Sequence, residues 1–137
     1  MPVPPLPDDV ATLLARPNPA VMATVAADGR PVTVATWYLV EDDGTVLLNL
    51  DAGRARLAHL RRDPRVSLTA LAEGDWYTHV SVQGTVVSFT DDDDLTDIDR
   101  LSTHYTGQPY PTRERPRVSV RVRVDRWHGW GAAAQAQ

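Results

Sequence analysis

The chain has 137 residues, 42% of them hydrophobic and 23% charged, which suits one globular domain and excludes an intrinsically disordered chain. A net charge of −4 leaves no basic field to gather nucleic acid or anionic lipid. All 14 basic residues are arginine and cysteine is absent, so lysine Schiff bases, disulfides, thiolate metal sites and cysteine nucleophiles are excluded.

Met1-Pro2-Val3-Pro4-Pro5-Leu6-Pro7 has neither the basic start nor the apolar stretch of a signal peptide. No apolar run reaches the roughly 20 residues that a membrane helix requires, so the expected location is the cytoplasm with no membrane contact. The prolines predict an extended arm over 1–7, because each disfavours helix in the residue before it. Asp8 and Asp9 then supply a cap and an acidic first turn, predicting a helix over 8–15 closed by Pro17 and Pro19. Two β-prone runs, 20–26 and 31–40, flank Asp28-Gly29 and predict a hairpin. A further turn at Asp42-Asp43-Gly44 leads into 45–50, which predicts three consecutive antiparallel strands.

After Asp51-Ala52-Gly53 the period changes. Leu57 and Leu60 lie three apart, and a helix is predicted over 54–62, ended by Asp63-Pro64. Val66, Leu68 and Ala70 alternate with polar residues as in a strand, and 78–89 reads as another, with Gly84 marking a bulge or bend. Asp91–Asp94 reads as the solvated start of a helix running to about Tyr105, its acids complementing the positive end of the helix dipole. Val118, Val120, Val122 and Val124 alternate strictly with Ser119, Arg121 and Arg123, predicting a half-buried strand that 126–130 extends or returns. The tail over 131–137 reads as frayed. Six or seven strands with three short helices predict a single, mostly β (α+β) domain over 1–137, an antiparallel barrel or a sandwich.

Arg54 and Arg56 fall at the start of the helix over 54–62, where cations are disfavoured by some tenths of a kcal/mol. Free backbone N–H groups, Gly53 and two guanidinium forks would make a phosphate cradle there. Solvation, or pairing with Asp51 and its neighbours, explains the same residues. Arg61 and Arg62 sit at the other end of the helix, where cations need no further explanation. Trp37 with Tyr38, Trp76 with Tyr77, and Trp127 with Trp130 are core or interface aromatics, or walls for a planar ring system. His59, His79, His104 and His128 lack metal-ligand spacing, so no metal site is predicted. No nucleophile elbow, Walker loop or dinucleotide fingerprint supports a hydrolase, an NTPase or a Rossmann enzyme.

Asp28-Gly29-Arg30-Pro31, Trp37-Tyr38, Asp43-Gly44 and Arg54-x-Arg56 with Leu60-Arg61-Arg62-Asp63-Pro64-Arg65-Val66 resemble the pyridoxamine 5'-phosphate oxidase-like split β-barrel family. More narrowly they resemble its actinobacterial branch that uses coenzyme F420, an 8-hydroxy-5-deazaflavin. Gly84, the acidic helix start and Tyr105-x-Gly107 extend the likeness over nearly the whole chain. The resemblance implies a split antiparallel β-barrel of six to seven strands with short flanking helices, assembled as a homodimer with two interfacial cofactor sites. It implies that Arg54 and Arg56 grip the cofactor phosphate, with Arg56 standing where relatives often have lysine. It implies that Leu50, Asp51, Ala52 and Gly53 run beside the phosphate and ribityl chain, and that Val34, Ala35, Thr36 and Trp37 lie against the ring system. Arg126-Trp127-His128 matches the family's substrate-holding Arg-x-His without the surrounding residues, and that role is not carried over.

The expected activity is therefore hydride transfer from coenzyme F420 to a small organic acceptor, with Thr36, Tyr38 or Tyr105 as proton-donor candidates. The alternatives are an FMN-dependent oxidoreductase of the same fold and a non-catalytic F420- or flavin-binding protein. Substrate selectivity is expected from 71–79 and 106–116.

Overall fold

A computed structural model describes residues 1–134 of the chain. In chain order the elements are α1 (Asp8–Leu14), β1 (Ala20–Val25), β2 (Pro31–Thr36), β3 (Leu39–Val40), β4 (Val46–Asp51) and α2 (Ala55–Arg62). They continue with β5 (Arg65–Ala72), β6 (Asp75–Asp91), α3 (Thr96–Thr106) and β7 (Arg117–Trp130). One seven-stranded sheet contains all the strands in the order β2-β1-β5-β6-β7-β4-β3, and every neighbouring pair is antiparallel.

The first hairpin forms where the Asp-Gly turn places it. Ala26 donates its N–H to the Arg30 carbonyl, Asp28 accepts from the Arg30 N–H, and Gly29 takes φ +87°, which its lack of a Cβ permits. The expectation of one strand over 31–40, and of three consecutive paired strands, is corrected. The run breaks at Trp37-Tyr38: β2 pairs with β1, whereas β3 pairs with β4 at the far edge of the sheet. Two residues span at most about 11 Å between the flanking Cα atoms, so the two sheet edges must meet and the sheet must curl into a barrel. The seam of that split barrel lies at Trp37 and Tyr38.

Tyr38 causes the break. Its side chain is fully buried, donates to the Leu14 carbonyl and accepts from Asn18 Nδ2 at 2.9 Å, which ties the seam to the corner after α1. Inside the barrel, Val46, Leu48 and Leu50 of β4 meet Val118, Val120 and Val122 of β7, together with Leu57 and Leu60 of α2. Leu47 belongs to the opposite face of β4, where Leu95, Ile98 and Leu101 cover it. Both faces of β4 are therefore buried, and each covered leucine contributes about 1.5–3 kcal/mol.

β6 is longer than the predicted 78–89, and its register shifts at Gln83/Gly84 as a bulge requires. A Cβ on Gly84 would strike the Arg123 carbonyl oxygen and Val122 Cγ1 across the β6–β7 pair. Gly84→Ala is expected to cost at least about 1–3 kcal/mol, the range for overpacking a filled interior, read as a lower urea midpoint at unchanged slope.

The expected frayed tail is corrected in its first part: Gly131–Ala133 form a 3-10 turn and Ala133 is buried. Residues 135–137 lie outside the described residues. Over 126–130 the chain extends β7 rather than returning, and Pro2 accepts the Trp127 N–H, which holds the arm of 1–7 along the strand. No helix among the described residues is long and apolar enough to cross a membrane.

Candidate functional site

A cavity of about 700 Å3 opens beside the seam, within the range of ligand pockets. Three neighbouring strand ends make its apolar side: Ala35 of β2, Ala20 and Val21 of β1, and Leu71 of β5, with Pro17 and Pro19 before β1. Ile98, Leu101 and Tyr105 of α3 contribute another wall, and Arg56, Asn49 and Arg117 make a polar end. Glu73, on the hairpin turn between β5 and β6, is the one carboxylate among the described lining residues.

An aromatic stack fills the seam. Freed from β2, Trp37 stacks on Tyr105 at 5.4 Å with 12° between the planes, while Tyr110 meets it edge-on at 6.1 Å. Tyr105 donates to the Asn18 carbonyl at 2.6 Å, and burial pushes its phenol up to about 12. Tyr38, by contrast, is core: its hydroxyl is committed to Leu14 and Asn18, and burial pushes its phenol well up. It is not a proton donor to this cavity. Thr36 lines the cavity, with its hydroxyl donating to the Trp37 carbonyl at 3.0 Å.

Arg56 comes from the first turn of α2, whose N-cap is Arg54 in extended backbone geometry. The helix starts where the Asp51 carbonyl accepts the Arg54 N–H and the Asp51 carboxylate accepts the Gly53 N–H. It ends at Asp63, extended as a residue before proline prefers to be. Leu57 and Leu60 sink into the barrel and fix the helix rotation, so that Arg56 reaches the cavity. Its Nε is buried and has no hydrogen-bond partner among the described residues. Burial lowers the Arg56 pKa, and the neighbouring guanidiniums of Arg54 and Arg117 lower it further.

Arg117 is buried on the first residue of β7. Its Nε donates to Asn49 Oδ1 at 2.7 Å and an Nη donates to the Asn49 carbonyl at 3.3 Å. Its guanidinium carbon lies 4.9 Å from the Tyr110 ring centroid. Asn49 Nδ2 in turn donates to Asp92 Oδ2 at 3.0 Å and to Ser119 Oγ at 3.2 Å.

Asp92 corrects the reading of 91–94 as a solvated helix start. It is buried, and its carboxylate accepts the N–H groups of Asp97 (3.1 Å) and Ile98 (2.9 Å) at the first turn of α3. None of the ion pairs among the described residues includes Arg54, Arg56 or Arg117.

Of the site residues expected from the sequence, Ala35, Thr36, Trp37 and Arg56 line the cavity. Arg54 is exposed at the helix cap beside it. Leu50 is fully buried in the barrel, and Val34 packs against the same core. Asp51 pairs with Arg115 at 3.0 Å, Ala52 donates its N–H to the Pro116 carbonyl, and Gly53 is exposed. Tyr110 lies within 106–116, from which selectivity was expected, whereas Asn49 and Arg117 were absent from the expected set. Their only sequence signal is an arginine opening a valine-alternating strand. Trp127 is a core residue, so Arg126 and His128 on either side of it share the opposite face of β7, outside the cavity lining.

A seven-stranded antiparallel barrel, closed on itself except at a seam lined by an aromatic cavity, defines a split β-barrel protein. The chain belongs to the pyridoxamine 5'-phosphate oxidase family, whose sequence model matches residues 6–131. Solved structures share the fold. One named F420 reductase superposes with a TM-score of 0.80 at 24% identity, covering 89% of this chain and 98% of its own. A conserved hypothetical protein from Mycobacterium tuberculosis gives 0.73 at 25% identity, covering 93% of this chain and 86% of its own. General stress protein 26 from Bacillus anthracis gives 0.68 at 15% identity, covering 90% of this chain and 92% of its own. No curated protein matches the sequence.

Proposed function

We propose that the protein is an oxidoreductase that binds coenzyme F420 in the seam cavity and passes hydride to a small organic acceptor. The observation that carries this reading is the buried Nε of Arg56, a cationic donor without a partner among the described residues, at one end of an aromatic-walled cavity. A buried donor left unpaired costs about 1–3 kcal/mol, more when charged, and an anionic ligand group would recover it. The residues present fit a ring system joined through a polyol to a phosphate. Arg56 would hold the phosphate, Trp37 and Tyr105 would border the ring, and Thr36 would offer a hydroxyl at its edge. The apolar strand ends, with Pro17 and Pro19, would border the bound ring with apolar surface.

When bound, the deazaflavin supplies the hydride chemistry, and the protein supplies orientation and electrostatics. The raised Tyr105 phenol stays protonated at neutral pH, so its hydroxyl remains a donor, held by the Asn18 carbonyl. The choice of F420 over FMN is supported by the sequence resemblance and by the name of the F420 reductase neighbour. We also propose a cytoplasmic homodimer. Trp76 and Tyr77, 70% and 59% exposed on the β5–β6 hairpin, are apolar surface that a second copy would cover.

Parallel calorimetric titrations with F420 and FMN, followed by turnover with nitro, enone and tetrapyrrole acceptors, test this reading. F420 is expected to bind at micromolar concentration and, once reduced, to be reoxidised by at least one acceptor class. Binding of FMN alone would make the protein a flavoenzyme of the same fold, and binding without turnover would make it a carrier. Failure of both cofactors to bind would contradict the reading.

A further inference from the structure

Arg117 is the most constrained cation of the cavity, and neither the sequence resemblance nor the proposed function uses it. It is 9% exposed, yet no carboxylate among the described residues pairs with it. A buried arginine ordinarily meets an acid directly, because desolvating a lone charge costs several kcal/mol. Here a neutral amide stands between arginine and acid: Asn49 accepts from Arg117 through its oxygen and donates to Asp92 through its nitrogen. That relay fixes the guanidinium plane without pairing its charge directly. Tyr110 lies against one face of the plane, so the group is held on two sides. A guanidinium has five N–H donors, and the two contacts to Asn49 leave three without a partner among the described residues. Arg117 lines the same cavity as Arg56 and adds to the positive potential that lowers its pKa.

Arg54 differs in being exposed and outside the lining. Two converging guanidiniums, one with an unpartnered Nε and one with a free edge, suit a phosphate-class anion better than a single carboxylate.

We propose that Arg117, positioned by Asn49 and Tyr110, is a second anion-binding residue of the cavity and grips a phosphate-class group jointly with Arg56. This rests on the proposed function only for the identity of the ligand that carries the phosphate.

Two arms separate the assignment from that reading. In the first, Arg Nε–Hε resonances of the unmodified protein are followed while inorganic pyrophosphate is added, with Arg54→Lys, Arg56→Lys and Arg117→Lys used to assign them. Arg56 and Arg117 are expected to shift along one saturation curve, with Arg54 moving little. In the second, Arg117→Gln is titrated with F420 and with its dephosphorylated core, which lacks the phosphate and everything beyond it. F420 affinity is expected to fall at least tenfold, roughly the loss of one charged hydrogen bond, while affinity for the core stays as in the parent. If Arg117→Gln does not fold, the pyrophosphate titration of the unmodified protein decides alone. An Arg117 resonance that stays still while Arg56 shifts, or an unchanged F420 affinity in folded Arg117→Gln, overturns the assignment. Both arginines responding to pyrophosphate in a protein that binds neither F420 nor FMN upholds the assignment and removes the cofactor reading.

Discussion

Arg56→Gln is expected to weaken F420 binding about 10- to 150-fold, a loss of roughly 1.5–3 kcal/mol, without lowering the stability of the free protein. The first half follows from the buried Nε, which has no partner to lose among the described residues and one to lose in the complex. The second half follows from charge. Arg54 and Arg117 oppose the ionised form of Arg56 more than Asp51 favours it, so a neutral glutamine relieves repulsion in the free protein. Thermal unfolding without ligand should show a midpoint equal to or above the parent's. Arg54→Gln is the internal comparison. An exposed cation acting through solvent contributes about 0.2–1 kcal/mol, and its effect on F420 affinity should fade as salt is raised. A larger loss from Arg54→Gln than from Arg56→Gln would place the anion on the exposed side of the helix cap.

Asp92→Ala is expected to destabilise the protein by about 3 kcal/mol, the sum of a lost helix cap and buried donors left unpaired. Its carboxylate serves the Asp97 and Ile98 N–H groups and Asn49 Nδ2; the two backbone donors would be orphaned together, and Asn49 Nδ2 would keep only Ser119 Oγ. Asp93→Ala and Asp94→Ala, at exposed positions of the same acidic run, should stay within about 0.5 kcal/mol of the parent. Urea unfolding of the three variants separates one buried cap from two solvated neighbours. Because α3 carries Ile98, Leu101 and Tyr105 of the cavity wall, Asp92→Ala should also weaken F420 binding at temperatures where the chain remains folded.

These two residues mark how far the sequence could be read. Local signals placed the elements well: the Asp-Gly turn, the Asp63-Pro64 stop and the valine alternation each act over a few residues. Arg56 was legible for the same reason, since its oddity is a cation in a first helical turn. Trp37-Tyr38 was misread because the apolar alternation continues across it. The break comes from a Tyr38 hydrogen bond to Leu14, 24 residues away. Asp92 looks like its neighbours until β4 brings Asn49, 43 positions distant, against it. Arg117 becomes a site residue only through strand pairing with β4, across 68 positions to the same Asn49. The strand-end loop Leu50–Gly53 was expected as cofactor backbone. Its side chains answer to the barrel, which buries Leu50 and turns Asp51 toward Gly53 and Arg115, demands that arise from β4–β7 pairing rather than local pattern.

The arginine turn thus resolves into unequal partners: Arg56 enters the cavity, Arg54 caps the helix beside it, and Arg117 of β7 is the second arginine among the described lining residues. The most direct test is a crystal structure of the protein grown with F420. A phosphate oxygen about 3 Å from Arg56 Nε, with the ring beside Trp37, is the predicted result. Cofactor bound elsewhere, with that Nε still unpartnered, would contradict the account.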